Sequence, residues 1–421
     1  MTGLHFAQST HDTPGSQVPG GQPYVVSRYT PVDSRPVIDE ERQRQAHRHS
    51  RSQRLLSLVN LVMAAVVIGI LLFTPLGVGL RDLVSRAPLW EPVPEFLPIQ
   101  VALYFLIVML VTTLLALPIS YVGGYELPRR YGLSRQTPAS WLADRAKSLA
   151  INLPLELIAV EFIYALLAIF PTSWWVWTGV AALFVTVLMA QIAPILFLPL
   201  FYKLVPLEEG EMRQRALALA QQAGTRVRGI YSMNMSRRTT AANAMVMGLG
   251  PTRRIILGDT LLNNYTADEI SVVLAHELGH QVHRDIPKLI AVEVLTILSG
   301  LFVVNLVLHA AVTHSASYSG LADPATMPLV FLALGVFGLA LLPITNGFSR
   351  WIEYRADVYA LETTRDPDAF VSTFTRLANQ NLAELNPPPL VEFFLYNHPA
   401  TGKRIALANR YRAQSDVVPA E

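Results

Sequence analysis

The chain has 421 residues, 52% of them hydrophobic and only 15% charged, and its mean hydropathy of +0.35 is too high for an ordinary soluble protein. A formal net charge of +2 gives no basis for a nucleic-acid partner, so the basic residues are read by location, as topology signals. With no cysteine, disulfides and thiolate metal sites are excluded, and any metal must be held by His, Asp or Glu.

Residues 1–54 carry Pro, Gly, Ser and Gln, then a late Arg/His cluster, without an apolar period, and read as a disordered basic tail. The first apolar run, 55–76, lies too far from Met1 for a cleavable signal peptide and lacks a small-residue cleavage site. Five more runs, 98–122, 148–170, 174–201, 289–311 and 327–348, are long enough to cross a bilayer core of about 30 Å. Arg42, Arg44, Arg48, Arg51 and Arg54 precede the first span, and Arg129, Arg130, Arg135, Arg145 and Lys147 fill the second loop, whereas 312–326 holds no Lys or Arg. Six spans with both termini in the cytosol satisfy every loop. The chain then divides into the tail, four spans within 55–201, a cytosolic part at 202–288, two spans within 289–348 and a cytosolic part at 349–421.

Within 202–288, Leu207 to Ala223 reads as an amphipathic helix ending at Gly224. Gly229 to Asn234 and Ala242 to Met247 read as strands, and the Gly248-Leu-Gly-Pro turn signal joins the second to Arg253–Leu257 as a hairpin. Thr266 and Glu269 have capping-box spacing before a helix that carries His276-Glu-Leu-Gly-His280. On a helix His276 and His280 stand one turn apart and face one metal, with Glu277 beside them to take a proton from water. The bland reading is a solvated helix face. Strands ahead of such a helix suit a metallopeptidase whose edge strand holds an extended substrate.

Catalytic zinc takes three protein ligands, and the third is expected from Glu353, on a polar helix at the cytosolic end of the last span. Asp357, four residues on, shares its face and would hold an imidazole proton or assist proton transfer. The alternative is a surface ladder of Arg350, Glu353 and Asp357. Later, His398 and Arg404 offer donors for an oxyanion or a substrate carboxylate, or are a helix start with surface Arg. Glu156, Glu161 and Glu293, inside spans, are costly unless they face protein or water. His283 is read as solvated. The fold class that follows is mainly α: a polytopic membrane bundle of about six spans with a cytosolic zincin-like metallopeptidase domain containing a small β-sheet.

With these residues assembled, the chain resembles the type 1 CAAX prenyl proteases, integral-membrane zinc metallopeptidases of the gluzincin group. The resemblance runs from about residue 98 to about 408 and rests on Ala116-Leu-Pro-Ile-Ser120, Tyr131-Gly-Leu-Ser-Arg-Gln-Thr137, Ile192-Ala-Pro194, Asn243-Ala244, Gly248, Arg253 to Leu262, His276 to His280, Glu353 with Asp357, and His398-Pro with Arg404. It implies that one zinc ion is bound by His276, His280 and Glu353, that Glu277 activates water, and that Asp357 acts close by as proton donor. It further implies that Asn243, Ala244, His398 and Arg404 line the substrate cleft, and that the spans surround a large water-filled chamber. The chain departs from the eukaryotic members, which have seven spans, in that the first is expected to be replaced by the tail, and it lacks the long charged insertion that some relatives carry between the hairpin and the zinc helix.

The expected activity is zinc-dependent endopeptidase cleavage at the cytosolic membrane face, with CAAX-processing-like specificity implied as a chemical capability. The expected partners are peptide or protein substrates, lipidated or membrane-embedded, and the bilayer itself, in the cell membrane of a bacterium or the endoplasmic reticulum of a eukaryote. Its rivals are a heat-shock type quality-control protease for membrane proteins and a non-catalytic scaffold with structural zinc. Intact Glu277 argues against the scaffold.

Overall fold

The computed structural model of the protein describes residues 36–86, 97–248 and 250–415; the tail expected over residues 1–35 lies outside them. Among the described residues six helices are long and apolar enough to cross a membrane, as the six apolar runs require. The first span lies in α1 (Glu40–Phe73), followed by α2 (Leu76–Ser85), α3 (Leu97–Tyr121), α4 (Leu127–Arg130), α5 (Pro138–Ile169), α6 (Trp174–Leu196) and α7 (Leu198–Phe201).

The start of α1 corrects the sequence reading: residues 40–54, expected in a disordered tail, are helical and continuous with the span. Asp39 caps the helix by accepting from the Glu41 and Arg42 N–H groups. Two of the arginines that read as topology signals, Arg42 and Arg54, are bound near the other end of the chain, as is His47 between them. Arg42 Nε donates to the Asn379 carbonyl at 3.0 Å, and His47 and Arg54 each approach the Glu384 carboxylate to 2.8 Å. Polar pairing rather than an apolar stripe holds these turns, so no hydrophobic period marks them.

The part between the fourth and fifth spans opens with β1 (Leu204–Pro206), α8 (Glu211–Gln222), β2 (Gly229–Met233), β3 (Ala244–Met247), β4 (Arg254–Gly258) and α9 (Asp259–Leu262). The expected hairpin forms, with Ala244 opposite Leu257 and Met247 opposite Arg254, and Gly248 enters its turn at φ +93°. Strand order is β1-β2-β4-β3, β2 and β4 being parallel, so β3 is an edge. Then come α10 (Ala267–Val282), α11 (Asp285–His314), α12 (Met327–Thr364), α13 (Pro367–Asn381), α14 (Pro389–Leu395) and α15 (Thr401–Ser415).

Each span packs on its neighbours in the order α1, α3, α5, α6, α11, α12, and α12 packs back on α1 to close a ring. Apolar side chains such as Phe184, Leu295 and Ile344 stay exposed on these helices, as a bilayer requires. Glu156 and Glu293 are also exposed and Glu161 is half-buried.

Helix α10 is the axis of the part outside the spans. One face, with Ile270, Leu274 and Leu278, joins Ile255, Leu257 and Leu261 in the core under the sheet. Another, with Val272 and Ala275, packs on Ala360, Phe370, Phe374 and Ala408 from α12, α13 and α15. Only the stripe bearing His276, Glu277 and His280 is left to meet the site.

Candidate metal centre

The capping box read from the sequence starts α10 as expected: Thr266 Oγ1 accepts from the Glu269 N–H and Glu269 Oε2 accepts from the Thr266 N–H. Two turns on, the His276 and His280 rings stand 5.0 Å apart, nearly perpendicular. Helix α12 brings Glu353 against both, with Oε2 3.2 Å from His276 Nε2 and Oε1 3.6 Å from His280 Nε2. Gly279 permits this approach, since a Cβ there would lie 3.2 Å from Ala356 Cα and 3.1 Å from Tyr359 Cδ1.

These three side chains each offer one ligand atom within 4.8 Å of the others. Asp357 Oδ1 lies 2.9 Å from His276 Nδ1 and, as a carboxylate, accepts its proton. His276 Nε2 then presents a lone pair to Glu353 Oε2, a buried oxygen with no hydrogen-bond partner. Two acceptors in contact require a cation between them. Two imidazoles and a carboxylate are the donor set that suits zinc, so the residues fit the metal.

Without metal, a proton takes that place. Burial pulls the His276 imidazolium down, but hydrogen bonds with Asp357 and Glu353 outweigh it and push its pKa up to about 9. Burial raises the Glu277 carboxyl above the ordinary range, against the neighbouring histidines and a backbone hydrogen bond with Val246 of edge strand β3. The candidate base is thus tied to the strand that borders the site. Asn243, exposed, precedes that strand and accepts from the Gly258 N–H at 2.9 Å through its carbonyl, while the Ala244 side chain is buried.

The ladder of Arg350 with Glu353 and Asp357 does not form. Arg350 Nη1 instead donates to the carbonyls of Glu392 at 3.0 Å, Phe393 at 3.3 Å and Tyr396 at 2.5 Å. It thereby fixes the segment carrying His398, whose Nε2 lies 3.4 Å from Glu353 Oε1 on the open side of the site.

Arg404 sits differently from its expected place in the substrate cleft. Its guanidinium grips Asp357, with Nε 2.8 Å from Oδ2 and Nη2 on Oδ1, and stacks over Phe374 with 3.9 Å to the ring centroid. Asp357 is 1% exposed and both its oxygens are engaged by His276 and Arg404. Of the two tasks read for it, holding the imidazole is the one these contacts serve. Burial puts both residues behind the ligand set.

Asp285 was missed by sequence reading. Its Oδ2 lies 3.1 Å from His280 Nδ1, and Lys288 Nζ donates to its Oδ1 at 3.0 Å. It does for His280 what Asp357 does for His276. Arg284, at φ 52°, breaks α10 from α11 and turns Asp285 back toward the histidine, so helical periodicity could not place it. His283, read as solvated, packs edge-on against Tyr359 with centroids 5.9 Å apart.

Comparison with known proteins agrees with this assembly. The peptidase family M48 profile matches residues 206–412, and the profile of the CAAX prenyl protease N-terminal region, five membrane helices, matches 24–203. Four of the six candidate spans fall in the latter match. The chain is 32% identical to an uncharacterized metalloprotease, YhfN, of Bacillus subtilis (strain 168), over 76% of each chain. It is 29% identical to CAAX prenyl protease 1 of Saccharomyces cerevisiae over 70% of this chain and 68% of that one. Its fold is similar to the crystal structure of S. mikatae Ste24p, with a TM-score of 0.79, 24% identity, and coverage of 88% of this chain and 90% of that one.

Proposed function

The chain belongs to peptidase family M48, and from that premise we propose that it is a zinc endopeptidase cleaving peptide bonds at the cytosolic face of the membrane, with CAAX-type substrates its first candidates. The observation that carries this reading is the convergence of His276, His280 and Glu353 on one point beside Glu277 and edge strand β3. His276, His280 and Glu353 would hold one zinc ion, which when bound supplies a Lewis acid that makes water nucleophilic near neutral pH.

The chain's own residues do the rest. Glu277 takes a proton from the attacking water and returns it to the leaving amine, a task that suits a carboxyl raised toward neutrality by burial. Asp357 and Arg404 orient His276, and Asp285 orients His280. An extended substrate adds to β3 by backbone hydrogen bonds, with Asn243 and Ala244 at the start of that strand and His398 across the opening. The arginine-rich flanks of the first and second spans support the cytosolic orientation.

The test uses the purified full chain, zinc-loaded, with a farnesylated CAAX peptide, its unprenylated twin and an unfolded membrane protein. Preferential cleavage of the farnesylated peptide is expected. Cleavage of the unfolded protein alone would transfer the assignment to quality control.

A further inference from the structure

On the far side of the sheet from β3, where α5 begins and α7 ends, the chain surrounds a cavity of about 730 Å³. Lys147, Lys203, Arg237, Arg238 and Arg254 line it, and among the lining residues only Asp144 is acidic. Asp144 is committed to Arg238, receiving Nε and Nη2 at 2.8 Å each, with Lys147 Nζ at 3.6 Å. The lining thus brings five basic side chains and one acidic one to a single cavity.

Two further features suit a ligand rather than a merely solvated surface. Arg254 Nε is buried with no hydrogen-bond partner, while its guanidinium lies over the Tyr231 ring at 5.5 Å, which holds it at the cavity wall. An acceptor delivered from outside the chain would satisfy that donor. The position is equally specific. Lys147 is the last basic residue before the apolar run of α5, and Pro199, Leu200 and Phe201 line the cavity where the fourth span ends. Leu200 of the lining is exposed, as are Leu142 and Leu149 on α5 and Leu196 at the end of α6. A basic, concave site at the polar ends of two candidate spans, with exposed leucines on those helices, has the pattern expected at headgroup level.

We propose that this cavity binds the phosphate of an anionic phospholipid headgroup, and that Arg254, Arg237 and Lys203 are its main contacts. The shared chemistry is a phosphate oxyanion. The lipid is favoured over a free phosphate because the leucines beside the site have acyl chains as their natural partners. The site is independent of the metal centre and of the proposed peptidase activity.

The full chain in neutral detergent is titrated with short-chain phosphatidylglycerol, short-chain phosphatidylcholine and inorganic phosphate, with bound species counted by native mass spectrometry. Saturable binding of phosphatidylglycerol in preference to phosphatidylcholine is expected. Combined Lys203→Gln, Arg237→Gln and Arg254→Gln should weaken it about a hundredfold, roughly a factor of five for each charge removed. A charge-keeping variant, Lys203→Arg with Arg237→Lys and Arg254→Lys, should retain most of it, and the comparison of lipids on the unaltered chain needs no variant to fold. Equal binding of both lipids, or unchanged affinity in the folded triple variant, overturns the proposal. Saturation by inorganic phosphate at the same concentrations as the lipid also overturns it, in favour of a soluble anion.

Discussion

His276 Nδ1 lies 2.9 Å from Asp357 Oδ1, and the two residues come from helices α10 and α12, with the whole of span α11 and the loop after it between them. The contact fixes which imidazole nitrogen keeps a proton and which faces Glu353. Arg404 holds the carboxylate in place from behind, so three segments of chain settle one tautomer. Asp357→Asn removes the charge and half of the grip by Arg404. Zinc affinity should fall about 10–100-fold, read by competition with a chromogenic chelator. Undiminished affinity would show that Asp357 does not orient the ligand.

Glu277 is the group whose loss should separate binding from chemistry. In Glu277→Gln the three ligands are untouched, so zinc content should stay at the level of the unaltered protein. Turnover should drop by about 10²–10⁴-fold, the range for loss of a positioned general base. Zinc analysis and peptide cleavage on the same preparation decide it; near-normal turnover removes Glu277 from the mechanism.

Proton and metal compete for His276. Its pKa of about 9 in the metal-free protein lies above the ordinary value of 6.5, so the stabilisation by Asp357 and Glu353 is complete below pH 6.5 and is lost as pH rises through 9. Zinc needs the neutral imidazole, so the sign for metal binding is the reverse. Below about pH 9 each unit of acidification should cost about tenfold in zinc affinity through this one proton. A zinc affinity that is flat between pH 6.5 and 9 would refute the coupling.

Much of this was legible in the sequence because it rests on short-range rules. Six apolar runs became six candidate spans, Thr266 and Glu269 capped the zinc helix, and the turn after Gly248 made a hairpin. Glu353 could be singled out from afar because a His-Glu-x-x-His pair calls for a third donor, and the structure groups it with His276 and His280. What escaped depends on tertiary polar contacts with no periodic signature. Residues 40–54 looked unstructured because Arg42, His47 and Arg54 are satisfied by residues some 330 positions later. Arg404 looked like a substrate ligand because a charged side chain near a site has two ways to face, and burial against Phe374 chose the inner one. Asp285 was hidden by the left-handed break at Arg284.

Gly279 tests how close α10 and α12 must be. In an unpacked helix Gly→Ala gains about 0.8–1 kcal/mol, so propensity alone predicts stabilisation. Here the added methyl meets Ala356 Cα, a backbone atom that cannot rotate away, at 3.2 Å. Gly279→Ala should therefore fail to stabilise, and Gly279→Val should cost about 1–3 kcal/mol by overpacking. It should also lower zinc affinity, because moving α12 withdraws Glu353. Thermal unfolding and zinc titration of both variants provide the check; a stabilised Gly279→Ala with full zinc affinity contradicts the close approach.

Glu384 joins the first helix to the segment that carries His398. Its side chain is 4% exposed and receives Arg54 Nη1, Tyr396 OH and His47 Nδ1, each at 2.8 Å. Burial works to raise its pKa, but the hydrogen bonds from Arg54, Tyr396 and His47, with the Arg54 charge, prevail and hold it below the ordinary carboxyl range. A lowered folded-state pKa means that the stabilisation is present above the unfolded value of about 4.5 and is lost as pH falls through the folded one. Acidification below about pH 4.5 should thus free residues 40–54 from the 382–397 segment before the spans separate. Glu384→Gln should produce the same release at neutral pH, at a cost of about 1–3 kcal/mol for the charge-assisted bonds. Amide exchange in a lipid nanodisc reads both: protection over residues 40–54 should fall selectively in acid and in the variant. If that protection survives in Glu384→Gln, the N-terminal turns of α1 are held by the contacts of Arg42 and Gln43 with residues 379–385 instead.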